Sequence, residues 1–300
     1  MTVTRADVDR ASGRIAGYAL RTPVIEVEPG RWLKLECLQH SGSFKVRGAF
    51  NRMLGATPPA AGIIAASGGN HGLAVAYAAR RLGVRAEIFV PEVCAPVKIA
   101  GLRALGARVV VTGAIYQEAL DASRKRAAET GAVDIHAYDQ LDVAAGQGTL
   151  AAELLEQIPD LDTVVVAVGG GGLVAGVVAG LDGRAKVVAV EPERIPTLRA
   201  ALDAGEPVRV GVSGVGADAL GASTIGRLAY DTVAGHVTSV LVSDEAIIEA
   251  RHALWHDHHV AAEHAGAAAL AALRAGVYTP DEGERVAVIV CGSNTDPATL

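Results

Sequence analysis

Residues 163–181 read Thr-Val-Val-Val-Ala-Val-Gly-Gly-Gly-Gly-Leu-Val-Ala-Gly-Val-Val-Ala-Gly-Leu. From Val164 to Leu181 there is no charge, and by length alone this stretch could cross a bilayer. The four consecutive glycines argue against a continuous helix, because each weakens one by about 1 kcal/mol relative to alanine. The β-branched run ahead of them suits a buried strand, and Leu-Val-Ala-Gly-Val-Val behind them suits a helix. Strand, glycine turn and helix form the unit of a parallel sheet, so the stretch predicts an α/β protein and not a membrane span.

The same pattern extends in both directions. Apolar runs at 62–67, 86–91, 108–113, 186–192 and 285–292 read as further buried strands. Between them, helices are predicted over His71–Leu82, Tyr116–Thr130, Gly148–Gln157, Asp244–His256 and Glu263–Arg274. There is no repeat of fixed period and no low-complexity linker, so two domains would have to be interleaved. Ligands of open parallel sheets gather beyond the carboxyl ends of strands. Three glycine-rich turns stand at such places, Ser67–Gly72, Gly169–Gly172 and Gly292–Asn294, and can converge on one crevice.

Composition narrows the class. The 300 residues are half apolar and one-fifth charged, with 35 glycines, which is ordinary for a globular α/β enzyme. A net charge of -6 offers no basic field, and nucleic acid is disfavoured as a partner. Three scattered cysteines, Cys37, Cys94 and Cys291, suggest neither a disulfide framework nor a metal cluster. The polar start, MTVTRADVDRASGR, lacks an apolar signal segment, so a cytoplasmic location is expected.

Three motifs carry chemistry. In Ser41-Gly42-Ser43-Phe44-Lys45-Val46-Arg47-Gly48-Ala49, a lysine opens a helix among small residues and an aromatic. The chain has five lysines against twenty-two arginines. A lysine in a poorly solvated pocket loses preference for its charged form and can attack an aldehyde, whereas a surface lysine is the plain alternative. Ser67-Gly68-Gly69-Asn70-His71-Gly72 can gather backbone N–H groups around a carboxylate at a helix start, or be a tight turn capped by Asn70. Val168-Gly169-Gly170-Gly171-Gly172-Leu173 can wrap a phosphate. A dinucleotide turn is its rival, with Glu191 near the position of a ribose acid, although the full G-x-G-x-x-G spacing is missing.

In this order, together with Ala-Gly-Gln-Gly-Thr (145–149), Val-Glu-Pro (190–192), Glu-His-Ala-Gly-Ala-Ala-Ala-Leu (263–270) and Val-Cys-Gly-Ser-Asn (290–294), the chain resembles the fold type II pyridoxal-phosphate enzymes, the serine/threonine dehydratase group in particular. The resemblance covers nearly the whole chain. It implies two open twisted, mostly parallel sheets flanked by helices, as in the tryptophan synthase β fold. It also implies a larger cofactor-binding domain from 1–49 and 138–300, and a smaller inserted domain at 50–137.

The resemblance implies that Lys45 holds pyridoxal 5'-phosphate as a Schiff base and that Phe44 packs on the cofactor ring. Asn70 would bond the ring's phenolic oxygen. Gly169, Gly170, Gly171, Gly172 and Leu173 fall on the phosphate cradle, and Ser67, Gly68, Gly69 and His71 on the loop that receives the substrate carboxylate. Cys291 falls beside the pyridine nitrogen, with Glu263 at the nearby acidic position; a buried small apolar residue is the alternative for Cys291. The family usually has proline after the glutamate, where this chain has His264. Related enzymes often bind a cation through an acid shortly before an Ala-Asp pair. Here Val-Ser-Gly-Val-Gly precedes Ala217-Asp218, so no metal ligand is assigned. The cluster His256, His258 and His259 matches no metal spacing and reads as solvated helix-end side chains.

The implied activity is removal of water and ammonia from serine or threonine, giving pyruvate or 2-oxobutyrate, with Lys45 as the base that takes the α-proton. A hydroxyaspartate dehydratase is one alternative and an amino-acid racemase another. Racemases resembling this family carry a serine two residues before the loop asparagine, where this chain has Gly68. A non-catalytic nucleotide-binding protein is the alternative from a different class. The chain stops nine residues after Cys291, which predicts no C-terminal regulatory domain and simple kinetics. A homodimer is expected by resemblance and by general frequency.

Overall fold

A computed structural model describes residues 1–56 and 60–300. Among them ten strands run in chain order: β1 (Val24–Glu28), β2 (Arg31–Lys34), β3 (Ile63–Ala66), β4 (Ala86–Val90), β5 (Arg108–Val111), β6 (Val133–Asp134), β7 (Thr163–Ala167), β8 (Lys186–Pro192), β9 (Thr238–Val242) and β10 (Val286–Ile289). They form two sheets, one in the order β1-β2-β10-β7-β8-β9 and the other β5-β4-β3-β6. Every pairing is parallel except the β1–β2 hairpin at the edge of the larger sheet. The α/β architecture with two mostly parallel sheets is therefore as the sequence predicts.

The decisive stretch folds as read. All of β7 is buried in the centre of the larger sheet, and after the glycine turn a helix spans Gly172–Leu181. No helix among the described residues is long and apolar enough to cross a membrane. That helix packs closely on a second one, Leu141–Gln157. A Cβ at Gly176 would stand 2.4 Å from the Ala144 carbonyl, and one at Gly148 would stand 2.5 Å from the Gly176 carbonyl. The Ala-Gly-Gln-Gly-Thr segment is thus a site of helix contact, where glycine lets two backbones approach.

The same contact explains a misread boundary. The sequence places the start of this helix at Gly148, but it begins at Leu141. Two glycines in the first half lower intrinsic propensity, and tertiary packing overrides it. The helix predicted from Glu263 starts at His264, with Glu263 as its N-cap, and the one predicted to end at His256 runs to His258. His264 therefore occupies the first helical position, where proline is also well accommodated, so the departure from the family's proline leaves the helix start intact.

The chain leaves the larger sheet after β2, builds β3 to β6 in the smaller one, and returns before the helix Leu141–Gln157. Next to the outbound passage lies a buried ionic cluster. The Arg47 guanidinium forks onto Glu36 (Nε–Oε2 and Nη2–Oε1, both 2.8 Å) and onto Glu153 (Nη1–Oε1 2.8 Å, Nη2–Oε2 2.9 Å). Lys34 reaches the same Glu153 at 2.7 Å. Burial pushes the Glu36 carboxyl up, but Arg47 and Lys34 beside it outweigh burial and hold it below its ordinary range. The cluster ties β2, the helix Lys45–Gly55 and the helix Leu141–Gln157 together.

Candidate active site

Lys45 is the first residue of the helix Lys45–Gly55, and the chain just before it is pinned to the end of β10. Ser43 bridges Gly292, and the Phe44 amide donates to the Cys291 carbonyl at 3.1 Å. The Lys45 Nζ donates to the Ala137 carbonyl at 2.9 Å and lies 5.0 Å from the centre of the Phe44 ring. Burial lowers its affinity for a proton to a pKa of about 8, against the opposing pull of Cys291 and Glu263. A substantial fraction of the amine is therefore neutral, and nucleophilic, near physiological pH.

A cavity lined by Lys45 opens in front of this amine. Of the residues singled out by sequence, it gathers Phe44, Lys45, Asn70, Gly169 to Gly172, Leu173, Glu263 and Cys291. The Cys291 thiol donates to the Ala265 carbonyl at 3.4 Å, and burial raises its pKa, so it stays protonated. Glu263 lies at the start of the helix His264–Arg274, and its amide donates to the Gly292 carbonyl at 3.1 Å. Burial pushes its carboxyl up to about 7, opposed by a hydrogen bond from Asn70.

Asn70 opens the helix Asn70–Leu82, but it is not the cap of the turn; Gly69 holds that position. Its amide Nδ2 instead donates to Glu263 Oε1 at 2.5 Å, and its Oδ1 accepts from Asn294 Nδ2 at 2.7 Å. The turns at Asn70 and at Gly292–Asn294 thus meet through this amide chain, and Asn70 shares the cavity lining with Gly169 to Gly172.

Ser67, Gly68, Gly69 and His71 do not line the cavity itself. The Ser67 hydroxyl accepts from the Gly69 amide at 3.2 Å, and a Cβ on Gly69 would meet nothing within 4 Å. The imidazole of His71 turns inward, with Nε2 2.8 Å from the Ile135 carbonyl. Burial and the nearby Lys45 charge lower its pKa to about 3, so the ring is neutral and donates its Nε2–H there.

The sequence reading missed Tyr138, Ala167, Ala219, Leu220 and Ala265, which complete the cavity wall. Tyr138 lies flat on the glycine turn: a Cβ on Gly170 would stand 2.3 Å from its ring, and one on Gly172 would stand 2.8 Å from its carbonyl. An aromatic three residues before the helix that returns the chain to the larger sheet was the available signal.

The cavity fits pyridoxal phosphate on its own chemistry. The carbonyls of Gly169, Gly170 and Gly171 accept from Thr197 Oγ1, the Gly226 amide and the Ala175 amide. The N–H groups of Gly170 to Gly172, at the start of a ten-residue helix, find no protein acceptor among the described residues. Such donors, with the positive end of the helix dipole, suit a phosphate. A neutral buried amine suits an aldehyde, and an uncharged thiol suits the edge of a pyridine ring. A dinucleotide is a poorer fit, because Glu191 is fully buried and caps the helix Thr197–Ala204, accepting from the Leu198 amide at 2.7 Å and the Arg199 amide at 2.9 Å. Among the described residues no three His, Cys, Asp or Glu side chains cluster to hold a metal ion.

Comparison with known proteins agrees with this chemistry. A sequence profile described as "Pyridoxal-phosphate dependent enzyme" matches residues 15–292. An L-threonine ammonia-lyase of Thermotoga maritima is 36% identical over 98% of this chain and 76% of its own length. A phenylserine dehydratase of Ralstonia pickettii is 37% identical over 100% of this chain and 96% of its own length. Among solved structures, a threonine deaminase of the source abbreviated T.th. superposes with a TM-score of 0.89 at 36% identity, covering 98% of this chain and 99% of that one. Maize serine racemase gives 0.93 at 30% identity, covering 100% and 96%.

Proposed function

We propose, for a chain that belongs to the family of pyridoxal-phosphate-dependent enzymes, that it removes water and ammonia from L-threonine or L-serine to give 2-oxobutyrate or pyruvate. The observation that carries this reading is a buried, partly neutral Lys45 amine facing a glycine cradle, with a protonated thiol and no carboxylate of ordinary acidity at the far end.

Pyridoxal phosphate, when bound, supplies the electron sink that lets the bond from the α-carbon to its hydrogen break. Lys45 would hold it covalently, Phe44 would pack on its ring, and Gly169 to Gly172 with Leu173 would bind its phosphate through backbone N–H groups. Asn70, already fixed between Glu263 and Asn294, would face its ring edge. The Lys45 amine, whose affinity for a proton is lowered by burial, would serve as the general base for the substrate's α-proton. Cys291, kept protonated by burial, would offer a pyridine nitrogen no anionic partner. The Ser67–Gly69 loop and the backbone at His71 would receive the substrate carboxylate.

The smaller sheet supports a division into 1–49 with 138–300 and an inserted 50–137, and we extend the reading to a cytoplasmic homodimer. The phenylserine dehydratase relative leaves the group on the substrate's third carbon open. The purified, cofactor-loaded protein should release ammonia and a 2-oxo acid in equal amounts from threonine or serine. A D-amino acid as the main product would overturn the reading.

A further inference from the structure

We propose that this enzyme prefers 3-hydroxy amino acids whose third carbon bears a bulky apolar group, and that the wide cleft adjoining the catalytic cavity receives that group. This deepens the elimination reading above and rests on it. The cleft is open to solvent and adjoins the cavity, since Ala219, Glu263 and Ala265 line both.

Its walls carry the apolar side chains of Leu73, Val97, Val215, Ala219, Ala265 and Pro297 beside polar and charged ones. Leu73 lies three residues beyond Asn70, so the helix that sets one face of its first turn at the cavity sets Leu73 on that same face at the cleft. Val215 and Pro297 stand on the side of the larger sheet, and Val97 at the rim is 76% exposed. An apolar side chain left this open beside a reaction centre gains by being covered. The methyl group of threonine would leave most of these walls wet, and serine would leave all of them so.

Charge argues against the acidic alternative. Lys98 reaches into the cleft but is committed to Asp218, and the other ionisable groups there are Glu263, Asp296 and His264. Burial favours the neutral form of His264. A second substrate carboxylate, as in 3-hydroxyaspartate, would meet no uncommitted cation among the described lining residues. The reaction itself is unchanged: 3-hydroxyleucine loses its α-proton and its hydroxyl as water, and the enamine left takes up water and releases ammonia. The net products are 4-methyl-2-oxopentanoate and ammonia, with no oxidant or reductant.

The test compares kcat/KM for ammonia release by the holoenzyme from L-serine, L-threonine, 3-hydroxyleucine and 3-hydroxyaspartate. We expect 3-hydroxyleucine to exceed serine by at least about tenfold, the scale of discrimination by an apolar pocket. Val97→Asp and Leu73→Asn should each cut the 3-hydroxyleucine-to-serine ratio by about tenfold, with melting curves confirming that both variants fold. Activity on serine or threonine without an advantage for 3-hydroxyleucine would overturn the inference and leave the elimination reading standing. So would variants that fold and lower both substrates equally. No ammonia from any of the four would overturn the elimination reading itself.

Discussion

The Sγ of Cys94 stands 2.5 Å from where a Cβ on Gly68 would be. The thiol fills the space that a side chain at position 68 would need, so the missing serine of the racemase pattern is matched by packing as well as by sequence. Gly68→Ser alone should crowd Cys94 and lower elimination without creating a racemase. Gly68→Ser with Cys94→Ala removes the clash, and we expect it to form D-serine at a rate chiral chromatography can measure. D-serine from the unaltered protein as the dominant product would show that another group acts on the opposite face.

Lys45→Ala should yield a protein without the yellow absorbance of a lysine-bound cofactor and with elimination reduced about a thousandfold, within the range for loss of a general base. Borohydride reduction followed by peptide mapping should label Lys45 in the parent and leave the variant unlabelled.

Uptake of cofactor by the apoprotein reports the same amine before any reaction. With a pKa lowered to about 8, the neutral fraction rises with pH and saturates above that value. The rate of colour development should therefore climb between about pH 6.5 and 8 and level off beyond. A rate still rising about tenfold per pH unit past about 9 would mean that the amine keeps its ordinary affinity for protons.

Glu263 makes the apoprotein sensitive to pH in the opposite sense to an ordinary carboxylate. Its pKa is raised from 4.5 to about 7, so the folded state holds a proton that the unfolded state gives up. Stability is then lost as pH rises from about 4.5 to 7, reaching on the order of 3 kcal/mol above that window. Glu263→Gln can still accept from Asn70. It should melt above the parent apoprotein at about pH 8, with the difference vanishing near pH 4.5.

Arg47→Met should strip the buried Glu36 of its guanidinium partner and destabilise the fold by about 3–5 kcal/mol in urea titration. Arg47→Lys should recover only part of this, because an ammonium cannot fork onto two carboxylates. An unchanged midpoint would mean that the buried cluster contributes nothing to stability.

Much of this was legible from residue order. The strand-to-glycine transition at 168–169 set the fold class, because β-branched runs and glycine turns are local signals. The cavity's chemical residues were legible as motifs within those turns. Tyr138, Ala219 and Leu220 were not, since their role depends on where the chain re-enters the larger sheet and not on their neighbours. The inward turn of His71 was also hidden, because it depends on a carbonyl at Ile135, sixty-four residues away. The hairpin of β1 and β2 was missed because its alternation is mixed with charge, as in Val-Ile-Glu-Val-Glu.

The strand β10 lies between β2 and β7, and Cys291 follows it closely. During synthesis the lysine emerges early, while the strand that backs it leaves the ribosome long afterwards. Vectorial growth therefore keeps the aldehyde-reactive amine and its walls apart until β10 has been made. A nascent chain halted before residue 286 should have no competent pocket, however long it waits.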